Sequence, residues 1–145
     1  MEEIKREDSI GFQFGMFMRS FRKLMVHRFS QRDMGITLEQ FGLLHMLKED
    51  DTAILSDIAQ RMGIDKSAVM RFIDTLEDKR LVARINDKND RRKKIIVLTK
   101  KGNEKVQESE LFFNEIMNEL TLNIKKDEMK LFGNVLNKMR QNAEV

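Results

Sequence analysis

A mainly α-helical chain carrying one small β-hairpin is the fold this sequence predicts, and three observations carry the prediction. Long stretches near both ends place apolar residues three and four apart, the period of an amphipathic helix. In the middle, a short helical pattern, a glycine at Gly63 and a second helical pattern follow one another. Two apolar, β-branched-rich runs, Leu81–Ile85 and Lys94–Leu98, then flank a polar stretch, as paired strands do.

Each element can be justified in turn. Ile10, Phe14, Phe17, Met18, Phe21, Leu24, Met25 and Phe29 share one helical face, which predicts a long first helix over about residues 8–32, ending at Gly35. Thr37-Leu38-Glu39-Gln40 fits a capping box, so a second helix starts there and carries Phe41, Leu44 and Leu47 to about Glu49. Ser56 followed by Asp57 is expected to cap a short third helix that runs to Met62. Gly63 breaks it, and Asp65 can cap a fourth helix with Val69, Phe72, Ile73 and Leu76 on one face. The hairpin follows, and Thr99 caps a fifth helix whose apolar positions run from Val106 to Ile124. Asp127-Glu128 opens a last helix with Met129, Phe132, Val135, Leu136 and Met139 on its apolar side.

Composition narrows the function. With 145 residues there is room for one domain over 1–145, composed of a small lobe and an extended helical lobe that share a core. No cysteine is present, which removes disulfides, thiolate metal sites and cysteine nucleophiles. The two histidines, His27 and His45, lack ligand neighbours at zinc spacing, so the expectation is no metal, no cofactor and no catalytic residue. Neither a glycine-rich phosphate loop nor a nucleophile elbow occurs, which argues against an enzyme. The mixed-charge start, Met1-Glu2-Glu3-Ile4-Lys5-Arg6, and the short apolar runs predict a cytoplasmic protein with no membrane segment.

The net charge of +3 is small, yet residues 63–102 alone carry +6. Positive charge concentrated in one segment is the footprint expected where phosphates dock, although a solvated face has the same composition. Pattern decides between them. The small Ala59, the turn at Gly63, and Ile64 and Val69 in the angle make helices three and four a helix-turn-helix, and a hairpin directly after the second of these is a wing. A winged helix-turn-helix lobe is thus expected over 36–99, with a recognition helix at 65–79 and a wing at 81–99. The long helices of 8–33 and 103–142 form a dimerisation lobe, because they carry more apolar surface than one small lobe can cover.

The outward face of the fourth helix presents Lys66, Ser67, Met70 and Arg71. Arg71 suits a guanine, Ser67 a base edge or phosphate, and Met70 a thymine methyl. In the wing, Asp90 is expected to orient the Arg92 guanidinium for the minor groove, while Arg91 and Lys93 contact phosphates or stay solvated. The partner is double-stranded DNA. A winged-helix module that binds protein instead is the alternative, disfavoured by the basic residues on this face.

Several segments resemble the MarR family across nearly the whole chain. Gly35-Ile36-Thr37-Leu38-Glu39-Gln40-Phe41 is similar to the opening of that family's second helix, and Leu55-Ser56-Asp57-Ile58-Ala59 through Ile64 to its first helix-turn-helix helix. Asp90-Arg91-Arg92, then a strand and Leu98-Thr99-Lys100-Lys101-Gly102, resembles the D-x-R wing and the L-T-x-x-G entry to the dimerisation helix. Arg80 stands where the family usually has glycine. The resemblance implies a homodimeric transcriptional regulator, a repressor at a pseudo-palindromic operator, whose first, fifth and sixth helices interlock. It also implies release by a small aromatic or amphipathic effector. Phe17, Phe21, Met25 and Phe41 are the candidates to line such a pocket, packing being the plainer role for the same stripe.

Overall fold

A computed structural model of the chain describes residues 9–143. Six helices and one hairpin follow in order: α1 (Ile10–Gln31), α2 (Leu38–Glu49), α3 (Leu55–Met62), α4 (Lys66–Asp78), β1 (Val82–Asn86), β2 (Lys94–Leu98), α5 (Lys100–Leu120) and α6 (Lys126–Ala143). The mainly α fold with a β-wing is therefore the observed one. Two compact units divide it, one reaching to Leu111 and one from Phe112 onward.

The first unit is built on local signals that the side chains satisfy. Ser9 caps α1 by accepting from the Phe12 amide at 3.2 Å. At α2 the capping box closes in both directions, Gln40 N–H to Thr37 Oγ1 at 3.2 Å and Thr37 N–H to Gln40 Oε1 at 3.1 Å. Its core is apolar: Met25, Leu43, Leu44, Leu47, Ile58, Val69, Ile73, Leu76 and Leu81 are all buried. Phe29 and Phe41 lie 5.6 Å apart, joining α1 to α2. Glu110 of α5 accepts from Lys48 at 2.7 Å and pairs with His45 Nδ1 at 2.9 Å, so α5 is also stapled to α2. The Lys48 ammonium, chiefly, holds the Glu110 carboxyl below its ordinary pKa.

One helix start differs from expectation. α3 begins at Leu55 with Ile54 as its N-cap, and no side chain caps it, so Ser56 is the second helical residue rather than the cap. The reason lies in the preceding loop, where Ala53 is buried and its carbonyl accepts from Ile96 N–H at 3.0 Å. That bond ties the loop to the second wing strand and accompanies a helix start two residues earlier than expected. α3 ends as predicted at Gly63, which is left-handed (φ 65°).

The recognition helix ends in the same kind of turn without a glycine. Arg80 has φ 60°, with Arg80 N–H bonded to Glu77 O at 2.8 Å and Leu81 N–H to Leu76 O at 2.9 Å. The chain then enters the hairpin, whose antiparallel register pairs Val82 with Leu98 and Asn86 with Lys94. Thr99 closes the far end: its hydroxyl donates to Arg80 O at 2.7 Å and accepts from Gly102 N–H at 3.0 Å, and its own amide bonds Leu81 O at 3.1 Å. A Cβ on Gly102 would drive into the Leu81 carbonyl, so α5 can start here only on a glycine.

The second unit comprises the end of α5, a turn and α6. Phe112 and Ile116 of α5 are buried, while α6 has no buried residue. Glu128 caps α6 by accepting from Lys125 N–H at 2.8 Å.

Since the left-handed conformation costs an ordinary residue about 1–2 kcal/mol, Arg80→Gly should raise unfolding stability by up to about 1 kcal/mol, the added freedom of glycine when unfolded offsetting the rest. Urea denaturation measures this. A loss of stability would mean that the Arg80 side chain contributes more than its backbone costs.

Candidate nucleic-acid interface

The candidate surface is assembled from α4 and the wing, both inside the first unit. Asp65 caps α4 through the Ala68 amide at 2.8 Å and also accepts from the Ser67 hydroxyl. These two bonds, that of Ser67 first, hold the Asp65 carboxyl below its ordinary range. The Ser67 proton is thus engaged by the cap, so the hydroxyl can accept from a base amine as it stands but must leave Asp65 to donate to a base or a phosphate. Lys66, Met70 and Arg71 are exposed along the helix, Met70 at 46% despite its apolar side chain. With Val69, Ile73 and Leu76 buried beneath, α4 presents its polar face outward.

Arg84 emerges from the structure as a residue the sequence reading missed. Its guanidinium bridges Asp74 and Glu77 of α4 from strand β1, a brace between recognition helix and wing. The same brace offsets one of the two negative charges that Asp74 and Glu77 bring to α4. A signal was present in the sequence: an arginine in the first strand, ten and seven residues beyond two acids one helical turn apart.

The wing tip is held by two aspartates acting on backbone. Asp87 Oδ1 accepts from the amides of Asn89 (2.7 Å) and Asp90 (2.9 Å), which keeps its pKa below the ordinary value, the Asp90 amide contributing most. Asp90 Oδ1 in turn accepts from the Arg92 amide at 3.0 Å, and Asp90 O accepts from the Lys93 amide at 2.9 Å. The expected bond from Asp90 to the Arg92 guanidinium is replaced here by one to its backbone, because residues two apart in a tight turn bring amide and carboxylate together first. Arg91, Arg92 and Lys93 are exposed.

The four candidate pocket residues separate. Phe17 and Phe21 stack at 5.7 Å on α1, with Phe17 46% exposed. Met25 is fully buried, and Phe41 packs between Phe29 and His45. Among the described residues no group of three or more His, Asp or Glu is placed to hold a metal ion. Nor is any described helix long and apolar enough to cross a membrane.

A helix-turn-helix followed directly by a braced hairpin defines a winged helix-turn-helix protein. The model of the MarR family matches residues 36–94. YdgJ, an HTH-type transcriptional regulator of Bacillus subtilis, is 32% identical over 108 residues, a match spanning 74% of this chain and 66% of that protein. Among solved structures, MepR of S. aureus, in complex with DNA, aligns over 97% of this chain and 100% of its own with a TM-score of 0.77 and 25% identity. BpsR of Bordetella bronchiseptica, whose DNA binding is regulated by 6-hydroxynicotinic acid, aligns over 88% and 98% with a TM-score of 0.71 and 28% identity. The chain belongs to the MarR family.

If the Asp90 carboxylate orders the tip through the Arg92 amide, Asp90→Ala should speed hydrogen exchange at that amide roughly tenfold. Asp90→Asn, which keeps an acceptor oxygen, should restore most of the protection. Equal exchange in all three proteins would show that the tip is ordered by the strands alone.

Proposed function

We infer that this protein is a sequence-specific, double-stranded DNA-binding transcriptional regulator, a repressor acting as a homodimer on a pseudo-palindromic operator, with no catalytic step of its own. The observation that carries this reading is the outward face of α4, where Lys66, Met70 and Arg71 stand exposed on a helix fixed from below by buried Val69, Ile73 and Leu76. Arg71 forks onto a guanine edge, Met70 meets a thymine methyl, and the exposed Arg92 of the wing enters the adjoining minor groove. Arg91 and Lys93 contact phosphates. DNA in the MepR complex supports the same partner.

Homodimerisation, through the helical lobe of 8–33 and 103–142, is supported by what a lone chain leaves in water. Ile10, Phe14, Met16, Phe17 and Met18 of α1 are exposed, as are Leu131, Phe132, Val135 and Met139 of α6. A helix with that apolar content and no buried residue needs a second copy to cover it. Two recognition helices then address half-sites about 10 base pairs apart, one helical turn. A small aromatic or amphipathic effector, as the regulation of BpsR by 6-hydroxynicotinic acid suggests, releases DNA by changing that spacing. The working location is the cytoplasm, with the DNA.

Selection of fragments from the genome that encodes this chain should enrich pseudo-palindromic sequences. On the selected duplex, Arg71→Ala should lose about 1–3 kcal/mol of discrimination at one symmetric pair of positions and little elsewhere. Recovery of no preferred sequence, with protein partners captured instead, would favour the interaction-module reading.

A further inference from the structure

Beside the recognition helix lies a recess of about 260 Å³ whose lining adds Ser56 and Lys94, to which no role has been given, to Lys66 and Lys93. Ile54 with Leu55 and Ser56 at the start of α3 form one wall, Lys66 at the start of α4 a second, and Lys93 and Lys94 at the root of β2 a third. Three lysines on two separate elements thus line one small space, and no acidic residue lines it. Lysines gathered around one recess make it electropositive, and an anion seated there is attracted by all of them.

The charges are available. Among the described residues the Lys66 ammonium has no hydrogen bond or ion pair, and Lys94 donates only to the neutral Asn86 Oδ1, at 2.6 Å. Lys93 feels Asp87 across the hairpin but donates to no carboxylate. Ser56, half-buried in the first turn of α3, adds a hydroxyl to the wall.

We propose that this recess seats one backbone phosphate of the DNA, held jointly by Lys66, Lys94 and Ser56 with Lys93 at its edge. The proposal rests on the DNA-binding reading above and adds a specific anchor to it. Location favours a nucleic-acid phosphate over a free one, because Lys66 opens the helix that carries Arg71 while Lys93 and Lys94 form the root of the wing. A phosphate seated there is gripped by the recognition helix and the wing at once, fixing their register on the same strand. It positions the reading elements and reads no base itself.

The test uses the full-length protein and a duplex of about 30 base pairs selected by the wild type from a random library, which spans both half-sites of the expected operator. Lys66→Gln, Lys94→Gln and the double variant, all changed at exposed positions, are first checked for unaltered thermal unfolding. Because both lysines serve one phosphate per half-site, the double variant should lower the slope of log K against log salt by about 0.9 for each half-site, and no further than the larger single effect. Uncharged methylphosphonate, placed at each backbone position in turn, should weaken wild-type binding about tenfold at one position per half-site, and at that position should barely affect the double variant. Two independent decrements in slope, or equal sensitivity of wild type and double variant at every position, would overturn the seat while leaving DNA binding intact. Selection of no duplex by the wild type would overturn the DNA-binding reading and the seat together.

Discussion

The close approach of Gly102 to the Leu81 carbonyl is the constraint on which the small lobe depends. Three elements meet there: the end of the recognition helix, the first wing strand and the start of α5. Thr99 binds them together, its hydroxyl donating to Arg80 O and accepting from Gly102 N–H, while its amide reaches Leu81 O. Lys101 adds a bond to Lys79 O at 3.0 Å. Any side chain at 102 would force the start of α5 away from Leu81 and break the set. The junction also explains how Arg80 persists at φ 60°: bonds to its carbonyl and to the Leu81 amide and carbonyl leave the backbone no alternative path.

From that junction outward, pairing of charges decides what the surface can do. Arg84 pairs with both Asp74 and Glu77, and Asp65, Asp87 and Asp90 accept from backbone amides. The acids of this lobe therefore order α4 and the wing tip. Lys66, Arg71, Arg91 and Arg92 are left exposed, with no ion pair among the described residues. A modest net charge thereby becomes a directed one, which bears more on an anionic partner than the total does. The junction at Leu81 and the Arg84 brace in the middle of β1 together tie the recognition helix to the wing.

How much of this was legible in the sequence depends on whether the signal was local. Helix period, the Thr37–Gln40 capping box, the Asp65 cap and the Gly63 turn involve residues within four of each other, and each stands where it was expected. The start of α3 did not, because the Ala53–Ile96 bond that accompanies it spans 43 residues. Asp90 was placed at the wing tip for its effect on Arg92, but the contact is to the backbone amide. Side-chain reach cannot be read from spacing alone. Periodicity put Met25 and Phe41 on an apolar stripe but could not separate packing from a pocket. Burial places both in the core, while Phe17 remains exposed. Arg84 was overlooked because an arginine in a strand has no period to betray its partners.

If the junction is what holds the wing and recognition helix as one body, native-state hydrogen exchange on Gly102→Ala tests it most directly. The Arg80, Leu81 and Thr99 amides should lose protection together with β1, β2 and the last turn of α4. The amides of α1 and α2, anchored by Phe29, Phe41 and the capping box, should keep theirs. Wild-type protection across the hairpin and α4 in that variant would contradict the account, because strand pairing and the Arg84 brace would then suffice without the junction.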